Sequence, residues 1–510
     1  VAVMIPAQVD VLIIGAGFGG SLLAQILAKS GKQVALVERG SHPRFAMGES
    51  TSPLTNLLLE QFAQAYDLPH LNHLATWGAW KANIPDVGVG LKRGFTYYGH
   101  PADGSGAGVR GPLAVAASPG NSCADTHWLR SDVDAWLCQQ AIGLGVHYAE
   151  RTSVLDVTPC ENGRWRVVIQ YENGDEANIH AEFLVDAGGR TAALAGHVGA
   201  NATPFSDYPD TVALYSHFEN VALAADVPQL GAPENAPYPV DWSALHHVFP
   251  GGWMWMLRFD DNRVSAGVSV ERWLSDEVSL LEDGGWERLL TRMPAVQQQY
   301  AGATRVLPWM QANPLPVRLD RVAGVNDAAP WAFLPSAAAF IDPLYSTGFS
   351  LTLLGIERLA PLILSGTVSE NDLAVYEAAV KRDISCVARY ISANFAAFSD
   401  FERFTDVSMF YFAAASWSEI CRRIGKRALA PGMLLSGDDA FWQGFDAYLA
   451  GECTAADAIA PWNIAGLADR SKADMYHANL SDVISAAEKL GLSQAEMQAI
   501  IDDADWARCD

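Results

Sequence analysis

The chain has 510 residues, more than one hydrophobic core usually organises, so at least two substructures are expected, with room for a helical appendage. Half of the residues are hydrophobic, 10% are aromatic and only 18% are charged, which excludes a disordered or fibrous chain. Lys and Arg number 34 against 58 Asp and Glu, and the net charge of −24 is the wrong sign for a nucleic-acid binder or a protein held on anionic membranes.

Val9 to Ile14 is a short apolar run that ends in Gly15-Ala16-Gly17-Phe18-Gly19-Gly20. A helical period continues to about Ser30, then a strand from Val34 to Val37, giving a βαβ unit with its glycines at the strand-to-helix turn. The apolar stretch Val9 to Ala28 reads as neither signal peptide nor membrane span, because four glycines interrupt it and no basic leader precedes it. Helical patterns cover Pro53 to Tyr66 and Ser131 to Leu144. From Thr152 to Val185 short alternating strands with turns at Asn162-Gly163 and Asn173-Gly174 predict a β-meander ending at Asp186. Thr211 to Phe218, Trp253 to Phe259 and Val264 to Val270 read as strands of a mixed sheet. Gly348 to Leu364 reads as a helix, and from Ser369 onward nearly everything is helical in period, most clearly Asp400 to Ile424 and Asp438 to Leu449. Ser493-Gln494-Ala495-Glu496 has the spacing of a capping box. Seven cysteines (Cys123, Cys138, Cys160, Cys386, Cys421, Cys453 and Cys509) show no Cys-x-x-Cys spacing, and their odd count fits neither a disulfide framework nor a zinc site. A cytoplasmic location is expected.

In a Gly-x-Gly-x-x-Gly turn, Gly15 permits the tight bend, Gly17 lets backbone approach a pyrophosphate, and Gly20 lets the helix pack on the strand. Glu38 ends the second strand, placed to accept ribose hydroxyls and to repel the 2′-phosphate of NADP. The pattern therefore predicts a dinucleotide site.

FAD is the dinucleotide that the next motifs along the chain favour. Pro43-Arg44-Phe45 leading to Gly48-Glu49-Ser50-Thr51-Ser52-Pro53, then Trp128-Leu129-Arg130-Ser131-Asp132-Val133-Asp134, then Leu184-Val185-Asp186-Ala187-Gly188-Gly189-Arg190, resemble in order the elements of the FAD-dependent monooxygenase fold. Three further stretches resemble the flavin-dependent halogenases of that superfamily, of the type not specific for tryptophan. These are Leu91 to Tyr98, with Lys92 in the place of the active-site lysine; Phe340 to Gly348, similar to the flavin and halide loop; and Gly252-Trp253-Met254-Trp255-Met256-Leu257, similar to a Trp-x-Trp-x-Ile-Pro motif. The resemblance implies an α/β fold: an FAD-binding Rossmann-type, glutathione-reductase-like domain, a mixed-sheet substrate domain and a C-terminal helical region. The divisions expected are 1–199, with the Lys92 strand inserted, 200–330, 331–368 and 369–510.

The resemblance also implies an enzyme that uses FADH2 from a separate reductase, O2, and chloride or bromide to make hypohalous acid. Lys92, Trp253 and Trp255 would be its catalytic residues. Gly15, Gly17, Gly20, Glu38, Arg39, Ser50, Arg130, Asp186, Asp342 and Pro343 would bind the cofactor, Ser346, Thr347 and Gly348 the halide, and Tyr345, Phe404 and Phe412 the substrate; no metal is expected. Burial of Lys92 would lower its pKa and raise its nucleophilicity. Plainer readings stand beside these. Lys92-Arg93 reads equally as an edge-strand charge pair, Ser346-Thr347 as an ordinary helix cap, the two tryptophans as core on one strand face, and the aromatics of the C-terminal helices as helix packing.

Departures from the halogenase pattern narrow the substrate. Leu257-Arg258 replaces Ile-Pro, Pro335-Ser336 replaces Gly-Asp, and Tyr345 stands where tryptophan halogenases carry a glutamate. A small phenol, pyrrole or other electron-rich group is thus expected rather than tryptophan, and Arg422, Arg423, Lys426 and Arg427 form either a helix C-terminus or a docking patch for an acyl or peptidyl carrier protein bearing the substrate. Two other functions remain compatible with the motifs: a hydroxylase or reductase of the same superfamily without halide use, and a catalytically silent FAD-binding assembly partner.

Overall fold

The computed structural model describes residues 5–101, 108–231, 236–464, 491–493 and 495–496. Its first layer is the sheet expected from the glycine motif. Gln8–Ile14 runs parallel to Val34–Val37 on one side and to Glu176–Asp186 on the other, and His147–Ala149 and Ala329–Phe333 extend it. The central strand is buried through Val11, Leu12 and Ile13, which explains why it reads as a continuous apolar run instead of an alternating one. Phe18–Lys29 packs on this sheet and against the helix Arg130–Gly143. The meander forms as Ser153–Pro159, Trp165–Gln170 and Glu176–Asp186.

The second sheet contains Thr211–Glu219, Val264–Glu271, Gly252–Arg258, Ala244–Phe249, Gly94–Gly99 and Arg110–Ala116 in that spatial order. Period-two alternation sorts its side chains. Met254 and Met256 face a core shared with the short helices Arg272–Glu277, Gly285–Leu290 and Pro294–Gln299, whereas Trp253, Trp255 and Leu257 face the main core. Two details differ from the expected divisions. Gly94–Gly99 joins the second sheet, and the chain re-enters the first sheet at Ala323–Asn326, so a boundary at 330 falls inside the strand Ala329–Phe333.

Helices Thr347–Leu364, Glu370–Phe395, Phe401–Arg423 and Asp439–Leu449 come next along the chain. Ser369 caps the second through a reciprocal capping box with Asp372, and Asp400 and Asp438 cap the third and fourth. The capping box at Ser493 and Glu496 is also formed. Among the described residues one helix, Thr347–Leu364, is long and apolar enough to cross a membrane, but here it is a core helix packed on Phe18–Lys29, Pro53–Ala65 and Glu370–Phe395. Cys138, Cys160, Cys386, Cys421 and Cys453 are free thiols, whereas Cys123 is disulfide-bonded, although the odd cysteine count fits no disulfide framework. Cys509 lies outside the described residues.

Candidate active site

The glycine turn is closed by contacts that a side chain would destroy. Gly15 sits at φ +102°, where a Cβ would lie 2.7 Å from the Ala187 backbone, and a Cβ on Gly20 would lie 2.0 Å from the Gly15 carbonyl oxygen. Gly17 has an ordinary φ of −71°, and a Cβ there would point at Arg44 Nη2 (3.4 Å) and Arg130 Nη2 (3.8 Å). The space over Gly17 is therefore edged by two guanidiniums at a helix N-terminus, with Asp134 Oδ2 (3.7 Å from that Cβ) neutralising the Arg130 side, and suits a diphosphate. Beside it, Glu38 accepts hydrogen bonds from the Ala16 N–H (2.9 Å) and Arg44 (3.2 Å) through Oε2 and from the Gly40 N–H (2.8 Å) through Oε1. Burial opposes its ionisation, but Arg44 and the backbone donors outweigh it and hold the carboxyl below the usual range. Arg39 is exposed and donates to Thr191 Oγ1 at 3.4 Å; Arg44, not Arg39, stands over the turn. Asp186 is spent on its own loop, its two oxygens accepting from the Gly188 and Leu194 N–H groups at 2.8 Å each.

A cavity of about 130 Å³ runs from Phe18, Gly48 and Arg130 to the loop Ile341–Gly348, with Trp253, Trp255 and Leu257 as its wall. Arg130 is fixed by Asp134 (2.8 Å to each oxygen) and by the Met47 and Gly48 carbonyls. Ser50 Oγ lines the cavity, buried and without a partner. A Cβ added to Gly348 would meet nothing within 4 Å. Asp342 lies at the far end, accepting from the Trp253 indole (3.1 Å), Ser269 Oγ (2.6 Å) and the Leu344 N–H (3.0 Å), and burial lifts its pKa to about 7 against those donors. Pro343 and Ser336 line the same space. A diphosphate cradle, an apolar slot and an orphan hydroxyl are what FAD needs, so these residues fit it.

Lys92 touches the wall of this cavity at Ser346 and the wall of a smaller one at Phe95. It ends the strand Val89–Lys92, which pairs antiparallel with Asp125–Trp128, so that Lys92 faces Asp125 in register. Its side chain is fully buried, and Nζ donates to the Thr51 carbonyl and to Ser346 Oγ (3.4 Å) and sits 3.8 Å from the centre of the Phe95 ring. Burial lowers the Lys92 pKa, with Asp125 opposing, and raises that of Asp125, with Lys92 opposing. Asn56 Nδ2 holds Asp125 at 2.6 Å. Lys92 is thus no edge-strand charge facing water.

Ser346 takes a left-handed backbone, φ 56°, and caps the helix Thr347–Leu364. Its N–H is used by the Pro343 carbonyl (3.0 Å), which leaves its hydroxyl and the first-turn N–H groups of Thr347 and Gly348 as donors toward the larger cavity. The smaller cavity, about 20 Å³, is walled by Phe95, Thr347, Tyr411 and Phe412. Tyr345 and Phe404 stand behind this wall. Tyr345 stacks on Tyr411 at 4.0 Å and bonds Asn394 and Ser408 through its hydroxyl, while Phe404 packs on Tyr97.

Several residues of this site escape sequence reasoning. His246 stacks on Tyr97 and lines the larger cavity, its pKa pushed down to about 3 by burial and by Lys92. Glu49 is buried between His217 Nε2 (2.9 Å) and Ser265. Glu49 is legible within the Gly48-Glu49-Ser50 motif, but its partners come from Thr211–Glu219 and Val264–Glu271, far away in sequence. Three of the four cations at the end of the third C-terminal helix are engaged by carboxylates: Arg422 is bidentate to Glu357 (3.0 Å twice), Arg427 reaches the same carboxylate (2.8 Å), and Arg423 binds Glu419 (2.8 Å). The helix-end reading of these cations is thus met by Arg422 and Arg423 in the last turn of Phe401–Arg423.

The NAD(P)-binding Rossmann-like domain family matches residues 13–75, a stretch that holds the glycine turn, the strand Val34–Val37 and the helix Pro53–Ala65. The tetracycline 7-halogenase of Kitasatospora aureofaciens is 29% identical over 72% of this chain and 65% of its own length. The monodechloroaminopyrrolnitrin halogenase PrnC of Pseudomonas fluorescens is 27% identical over 77% of this chain and 68% of its own. The chain therefore spans about two thirds of the length of these relatives. The structure of halogenase PltM in complex with phloroglucinol and FAD superposes with a TM-score of 0.75 at 22% identity, covering 94% of this chain and 98% of PltM, and so shares the fold. Similarity of this order over most of the chain, joined to a slot whose residues fit FAD, makes the chain similar to the flavin-dependent halogenases.

Proposed function

We propose that the protein halogenates an electron-rich phenol or pyrrole with chloride or bromide, using O2 and FADH2 delivered by a separate reductase. The observation that carries this reading is Lys92, a fully buried amine that touches Ser346 of the larger cavity and Phe95 of the smaller, aromatic-walled one. Bound FADH2 supplies the electrons with which O2 converts halide to hypohalous acid. Everything else falls to the chain. The hydroxyls of Ser346 and Thr347 and the N–H groups of Thr347 and Gly348 seat the halide, favoured by the helix dipole by about 1 kcal/mol. Trp253, Trp255 and Leu257 keep water from the oxidant, and Asp342 fixes the Trp253 ring.

Lys92 receives the hypohalous acid. As the free amine it attacks the halogen: an N–halogen bond forms, the halogen–oxygen bond breaks, and the departing hydroxide takes an N–H proton and leaves as water. Burial supports this role because it makes the neutral amine available near neutral pH. Since Arg422, Arg423 and Arg427 are engaged by the chain's own carboxylates, a freely diffusing substrate is favoured over one presented by a carrier protein. Mass spectrometry of reactions containing FADH2, O2, bromide and a panel of phenols and pyrroles tests the proposal. A bromine isotope doublet that requires bromide supports it, and hydroxylated or reduced products without halide dependence would move the protein to another branch of the superfamily.

A further inference from the structure

The helix Phe401–Arg423 presents Tyr411, Phe412, Ala415 and Glu419 to the smaller cavity, positions i, i+1, i+4 and i+8 of one helical face. Of the residues that wall this cavity, Glu419 is the sole charged one; the rest are apolar or carry a hydroxyl. It is 1% exposed. Its Oε1 accepts from Arg423 Nε at 2.8 Å, one turn further on, and its Oε2 is buried with no hydrogen-bond partner. A carboxylate oxygen held this way is expensive to keep, because the cost of desolvating it is recovered only when a donor arrives. The rigid pairing with Arg423 prevents the carboxylate from turning away. Across the cavity stand Thr347 and Phe95, and the Lys92 amine lies on the Phe95 ring.

We infer that Glu419 anchors the aromatic substrate by accepting a hydrogen bond from its O–H or N–H, so that a ring bearing such a donor is selected and its electron-rich carbons are turned toward Lys92. This deepens the proposed halogenation and rests on it for the identity of the cavity as the substrate's. A phenol or pyrrole hydrogen-bonded to a carboxylate also carries more electron density on its ring, which suits attack on an electrophilic halogen. In the present conformation the cavity has room for about one water molecule, so a ring enters by displacing wall side chains. Met433, unbranched and with three rotatable bonds, is the member of the wall best able to yield.

The test is equilibrium binding to FAD-loaded, oxidised protein, without reductant or halide, of two matched pairs: resorcinol against 1,3-dimethoxybenzene, and pyrrole against N-methylpyrrole. The wild type should bind at least one donor about tenfold to a hundredfold more tightly than its methylated partner. Glu419→Gln keeps the shape, but Arg423 claims its carbonyl oxygen and leaves an NH2 facing the substrate's own donor, so the preference should vanish while FAD affinity stays unchanged. Glu419→Leu should also bind both members of a pair alike. Equal affinities within both pairs for the wild type, no measurable binding of either donor, or a preference retained in Glu419→Gln would each overturn the assignment. The wild-type comparison stands even if a variant folds poorly. Donor-selective binding by a protein that yields no brominated product under turnover would refute halogenation and leave Glu419 as the anchor.

Discussion

Asp342 gives the sharpest test of the buried electrostatics at the end of the flavin slot. Its carboxyl is wholly enclosed, and three donors do not outweigh that burial, so its pKa stands at about 7 rather than near 4. The folded protein therefore holds this proton more tightly than the unfolded chain does. Stability from this group is fully present below the unfolded pKa and is lost as pH rises through the folded one. Between pH 5 and pH 8 that shift corresponds to about 2 to 3 kcal/mol of unfolding free energy. Asp342→Asn removes the titration while keeping an acceptor for the Trp253 indole and the Leu344 N–H. Other buried acids, Asp125, Asp186 and Glu419, have raised pKa values too, so the informative quantity is the difference between wild type and variant at the two pH values. Urea unfolding at pH 5 and pH 8 should show the wild type losing about 2 to 3 kcal/mol more than the variant as pH rises. Parallel losses in the two proteins would refute the reasoning.

Gly17→Val should crowd the space beneath Arg44 and Arg130 and abolish FAD binding in a fluorescence titration while circular dichroism remains native; retained flavin would remove the diphosphate from this turn. Glu38→Ala should weaken FAD by about 1.5 to 3 kcal/mol, the range for hydrogen bonds to a charged group, and an unchanged Kd would show that Glu38 serves only Ala16, Gly40 and Arg44. Arg422→Glu should cost about 1.5 to 3 kcal/mol by opposing Glu357, measured by urea unfolding; no loss would mean that the pair is not formed in solution.

Much of the frame was legible because it is written locally. The strand-turn-helix of the glycine motif, the helical stretches Asp400 to Ile424 and Asp438 to Leu449, and the meander each depend on neighbours in sequence, and their boundaries fall within a residue or two of expectation. The period-two tryptophans also carried their information locally: Trp253 and Trp255 do share one strand face, though only the tertiary fold shows that this face is a cavity wall. What escaped is pairing at long range. Asp125 faces Lys92 only through the register of two strands that lie 30 or more residues apart, and Glu419 looks like any helix carboxylate until the opposite wall is in place. The cation run Arg422 to Arg427 leaves its partners unreadable for the same reason, since the Glu357 that pairs with Arg422 and Arg427 comes from the helix Thr347–Leu364. Tyr345, expected at the substrate because it stands where tryptophan halogenases carry a glutamate, stacks on Tyr411, and that contact joins a loop and a helix far apart in sequence.

The central claim is that Lys92 transfers the oxidised halogen, and Lys92→Ala assayed with bromide and a phenol that the wild type brominates tests it most directly. Bromide and O2 consumption by the FADH2-loaded variant should proceed while the brominated phenol, monitored by its isotope doublet, disappears. Lys92→Arg should fail likewise, because a guanidinium stays protonated and cannot accept the halogen. Bromination by Lys92→Ala at the wild-type rate would contradict the account.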